Sequence, residues 1–107
     1  MRLTQKEKRL LCKALNEFLV GHSAKLYLFG SRTKDSLKGG DIDLLLLVED
    51  KKFRAELESK KHFIVASMKD RLDDQKIDLQ IALPGEIDTN AFFKSIFPEA
   101  LLLQHWH

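Results

Sequence analysis

Residues 44 to 48 read Leu-Leu-Leu-Leu-Val. An apolar run this short, bounded upstream by Gly39-Gly40, suits a strand better than a helix. A strand with no polar face must be covered on both sides, which places it inside a sheet with a layer packed on each face. The same run is far too short to cross a bilayer. The 107-residue chain is therefore expected to fold as one domain, residues 1–107, around this strand.

The flanking sequence supplies the layers. Thr4 and Glu7 stand at capping-box spacing, so a helix is predicted from Gln5. Leu10, Leu11, Ala14, Leu15, Phe18 and Leu19 give it one apolar face, and Gly21 is a natural stop. "KLYLF", Lys25 to Phe29, reads as a first strand ending at Gly30, and "DIDLLLLV" as a second. Lys51 to Leu72 is charged but carries Phe53, Leu57, Ile64, Met68 and Leu72 on one helical face, the remainder being a solvated outer surface. In "KIDLQIAL", Ile77, Leu79 and Ile81 alternate with Lys76, Asp78 and Gln80, which marks a third strand. Pro84-Gly85 ends it, and Asp88 or Thr89 is placed to cap a last helix through Phe97. The tail "PEALLLQHWH" has no clear period. The predicted class is α+β, a small sheet flanked by helices in the order α-β-loop-β-α-β-α.

Asp41 and Asp43 open the second strand. Residues two apart in a strand point to one face, so the two carboxylates project together while Ile42 turns away. Like charges at the edge of a sheet interior repel and lose hydration, which makes a cation between them the natural remedy. Mg²⁺ suits such a site, since it takes one or two carboxylates together with substrate phosphates. Asp78, between Ile77 and Leu79, joins the cluster if the third strand lies beside the second. Three convergent carboxylates suit two metals about 3.5–4 Å apart and in-line displacement at phosphorus. Alternatives stay open at this level: Asp41 as a loop cap, Asp43 paired with Lys34 or Lys38, and Asp78 as an ordinary edge-strand surface residue.

Gly30-Ser31 follows the first strand directly. Glycine permits close approach of the backbone to a ligand, Ser31 offers a hydroxyl and an amide to a phosphate, and Arg32 adds a fixed positive charge. For this turn to meet Asp41 and Asp43, the first two strands must run antiparallel.

Bulk properties exclude little. The formal charge of +2 comes from basic and acidic residues scattered together, without the basic stripe of a dedicated nucleic-acid binder. One cysteine, Cys12, permits neither an intrachain disulfide nor a cysteine zinc cluster, and reads as apolar filler on the first helix. The charged start "MRLTQKEKRL" lacks a signal-peptide pattern, so a cytoplasmic protein is expected. His22 and His62 read as surface residues; His105 and His107 could hold a metal together, but read more simply as inert residues at a frayed end.

"GSRTKDSLKGGDID" resembles the Gly-Ser, spacer, Asp-x-Asp signature of the DNA polymerase beta-type nucleotidyltransferase superfamily. Nine residues separate Ser31 from Asp41, and "KIDLQ" matches the strand of the family's third carboxylate. The resemblance spans about Leu26 to Ile81. The short chain is similar to the minimal nucleotidyltransferases, many of which pair with a helical HEPN-domain protein in toxin–antitoxin-like systems. Some of those transfer AMP from ATP to a tyrosine of the toxin. The resemblance implies that Gly30, Ser31 and Arg32 bind nucleotide phosphates and that Asp41 and Asp43 bind Mg²⁺. It makes Asp78 the third carboxylate, aiding the metals or deprotonating the acceptor. With no second domain, a partner or a second copy would complete the site. Two other functions stay in view: an antitoxin that neutralises by contact alone, using the apolar C-terminal residues, and transfer to a small molecule such as an aminoglycoside.

Overall fold

The computed structural model of the chain describes residues 3–30, 42–72 and 75–107. Helix α1 (Gln5–Leu19) starts at the expected box: Thr4 Oγ1 accepts the Glu7 amide at 3.0 Å, and the Thr4 amide donates to Glu7 Oε1 at 2.9 Å. Gly21, at φ 80°, then turns the chain toward β1 (Ala24–Phe29). There follow β2 (Ile42–Val48), α2 (Lys51–Ser59), α3 (Lys61–Arg71), β3 (Ile77–Ala82), α4 (Pro84–Thr89) and α5 (Ala91–Ile96). A 3₁₀ turn (Phe97–Glu99) leads into β4 (Leu101–Trp106).

The strands form one mixed sheet in the order β3-β2-β1-β4. β1 runs antiparallel to β2 and β4, and β2 runs parallel to β3. The leucine run is thus interior to the sheet, and Leu44, Leu45 and Leu46 each have 0% of their surface exposed. Full burial of one such side chain contributes about 1.5–3 kcal/mol.

The two faces carry different layers. Ile42, Leu44, Leu46 and Val48 join Leu26, Leu28, Leu79 and Ile81 under α1, α2 and α3, which supply Leu11, Leu15, Phe53, Leu57, Ile64 and Met68. On the other face Leu45 packs with Phe29, Ala82 and Phe93, rimmed by Tyr27, Leu47, Ile87, Ile96 and Phe97. The larger layer is therefore helical and the smaller one is built by α4, α5 and the 3₁₀ turn. Arg54 of α2 links the layers: its Nη2 donates to Glu86 Oε2 at 3.2 Å, while Glu86 Oε1 accepts the Leu83 amide at the start of α4 at 2.9 Å.

Three expectations about elements need correction. The segment 51–72 is two helices, because the chain breaks at Lys60 (φ −106°, ψ 6°). The last helix is also two, and its second half is capped by Asn90 rather than Asp88 or Thr89: Asn90 Oδ1 accepts the amides of Phe92 at 2.9 Å and Phe93 at 3.2 Å. The tail is a strand. It pairs with the outer side of β1, slipping register between Leu26 and Tyr27, and Trp106 Nε1 anchors it by donating to Asn16 Oδ1 at 2.7 Å. His22, expected at the surface, is half-buried and stacks on Phe53 with centroids 3.6 Å apart, and His105, expected at a frayed end, is half-buried in β4 opposite Lys25. Among the described residues no helix is long and apolar enough to cross a membrane.

Candidate active site

The predicted cluster lies at one end of the sheet. β2 and β3 are parallel with Asp43 opposite Asp78, so both carboxylates occupy the same step of neighbouring strands. Neighbouring strands lie about 4.8 Å apart, and residues paired across them share a face. That face is the one covered by α4 and α5, since Asp43 alternates with Ile42 and Leu44, which point into the larger helical layer. Asp43 is half-buried and Asp78 exposed. Gln80, next along the same face of β3, donates from Nε2 to Asp78 Oδ1 at 3.4 Å.

β1 brings the third component. Its antiparallel pairing sets Phe29 opposite Asp43, so Gly30 leaves the sheet beside that carboxylate. Gly30 has φ 75°, and a Cβ there would collide with the Asp43 carboxylate. Glycine is needed at this position on both counts. The end of β1 and the starts of β2 and β3 meet at a single edge. This is the amino end of the parallel pair, whereas open α/β sheets bind ligands at the carboxyl ends.

Of the predicted site residues, the structure brings Gly30, Asp43 and Asp78 together. Ser31, Arg32 and Asp41 lie outside the described residues, as do Lys34 and Lys38. Among the described residues no three metal-ligating side chains cluster. Asp43 and Asp78 nonetheless fit a hard divalent cation: two carboxylates in register on one face, with a turn that carries no side chain against one of them.

The model of the nucleotidyltransferase domain family matches residues 9–100. This chain belongs to that family. The match runs from within α1 through the 3₁₀ turn and so includes both strands that carry the carboxylates. Nucleotidyl transfer is thus its general function, a nucleoside triphosphate its substrate class, and divalent metal the usual helper of such domains. No curated protein matches the chain. The four-stranded mixed sheet flanked by helices agrees with a nucleotidyltransferase fold.

Sequence reasoning did not place two neighbours at the site, and read Phe92 only as part of the core or of a partner surface. Gln80 was visible as the same-face neighbour of Asp78 in an alternating strand. Phe92 was visible only as an apolar residue near the end of the chain; its contact with Phe29, centroids 6.0 Å apart at 80°, depends on how α5 crosses the sheet.

Proposed function

We propose that the chain is a single-domain, Mg²⁺-dependent minimal nucleotidyltransferase that moves AMP from ATP to a hydroxyl of a helical, HEPN-type partner protein, as the antitoxin of a two-component pair. The observation that carries the chemistry is the facing of Asp43 and Asp78 in the parallel register beside Gly30. In this reading Gly30, Ser31 and Arg32 hold the triphosphate, and Asp41, Asp43 and Asp78 hold the cation. When bound there, the cation would lower the pKa of the attacking hydroxyl and neutralise charge at the leaving pyrophosphate. The acceptor oxygen forms a bond to the α-phosphorus as the bridging bond to the β-phosphate breaks, and pyrophosphate departs. Asp78, the more exposed carboxylate, takes the acceptor's proton. The Gly30 turn fixes the direction of the Asp43 carboxylate, which the absence of a Cβ allows.

The test is incubation with α-labelled ATP, Mg²⁺ and the protein encoded by the adjacent reading frame. The partner should become labelled, and Asp43→Asn or Asp78→Asn should lower labelling at least a hundredfold. Asp78→Asn should hold or raise the melting temperature, since it removes one of two like charges set opposite each other. Labelling that survives both substitutions would sink the mechanism.

One observation favours a contact-only antitoxin as the second reading: Leu101 and Leu102 are 38% and 54% exposed on β4, at the edge of the sheet. Full neutralisation of the partner by Asp78→Asn would select that reading.

A further inference from the structure

We infer that Phe92 is the stacking surface for the base of the bound nucleotide. This rests on the proposed reading of Asp43 and Asp78 as the seat of the cation that meets the triphosphate. Phe29 is paired with Asp43 and buried, and it faces the same side of the sheet. Phe92 stands on Phe29, so its ring lies one residue removed from Asp43. It is flanked on two sides, by Phe29 at 80° and by Phe93 at 58° with centroids 5.7 Å apart. Both rings meet it at steep angles, and among the described aromatic rings none lies flat on its face. Asn90 holds the backbone beneath it by accepting the Phe92 amide at 2.9 Å.

The ring is also 47% exposed. A half-exposed aromatic held by two others, next to a phosphate and metal site, has the form of a base platform. Stacking of this kind tolerates any base, because every base has a π-face. Phe92 thus sets affinity for a nucleoside triphosphate over bare triphosphate without choosing among bases.

The experiment is calorimetric binding of ATP and of inorganic tripolyphosphate, each with Mg²⁺, to the full chain and to Phe92→Leu, Phe92→Tyr and Asp43→Asn. Leucine keeps the apolar cover over Phe29 and removes the π-face. Phe92→Leu should weaken ATP about tenfold or more and leave tripolyphosphate unchanged, while Phe92→Tyr should bind both like the parent. ATP affinity that is unchanged in Phe92→Leu, or that falls in step with tripolyphosphate, overturns the stacking role. So does a parent chain that binds tripolyphosphate as tightly as ATP, although the phosphate site then stands. Asp43→Asn that binds tripolyphosphate as the parent does overturns the site itself, and the platform with it.

Discussion

A methyl group on Gly30 would run into the Asp43 carboxylate, and at φ 75° it would sit in a conformation that L-residues adopt only at a cost of about 1–2 kcal/mol. Gly30→Ala should therefore lower stability by roughly that amount in a denaturant melt. Its effect on transfer should be larger, because the carboxylate itself must move, and a parallel loss of stability and activity would argue against that account. Cys12 gives a second test at this scale. Burial raises its thiol above the ordinary value, and nearby Lys8 only partly offsets this. A thiol reagent at pH 8 should thus label the folded chain more slowly than the chain in denaturant. The sign for stability follows: the folded pKa is raised, so the contribution is complete below the unfolded thiol pKa and is lost as pH climbs through the folded one. The two carboxylates were legible in sequence because a mid-strand Asp is costly and two of them in one sheet need a reason. Phe92 was not, since nothing in its local sequence says which ring it will touch.

At the level of elements, α5 is only six residues long and depends on its cap. Asn90→Ala should cost about 1 kcal/mol, read as a shift of the thermal midpoint, because two amides lose their acceptor. Local signals predicted α1, β2 and β3 well, since capping, apolar runs and alternation are all written in neighbouring residues. They failed at two kinds of place. The break at Lys60 has no Pro or Gly to announce it, and Ser59 fills in by donating to the Glu56 carbonyl at 2.7 Å. β4 failed for another reason: its register slip and half-exposed leucines blur the alternation, and its pairing partner lies far upstream in β1.

For the molecule as a whole, the leucine run is the point where both layers meet. Leu44→Ala would empty a site with 0% exposure in the larger layer and should cost about 2–5 kcal/mol. Domains of this kind have only about 5–15 kcal/mol to lose, so a clear fall of the thermal midpoint is expected by circular dichroism. Leu102→Ala, at the sheet's edge and 54% exposed, should be close to neutral in the same measurement.

The parallel pairing of β2 with β3 also sets an order in time. Asp43 and Asp78 are 35 positions apart in the chain, and two helices must be laid across the sheet before they can face each other. Pairings between distant segments are slow to form, because the intervening chain must first be closed into a loop. A refolding chain should accordingly regain helical signal early and its affinity for tripolyphosphate late, in step with the docking of β3. The site then comes into being only once β3 has docked, and no chain that lacks this pairing carries it.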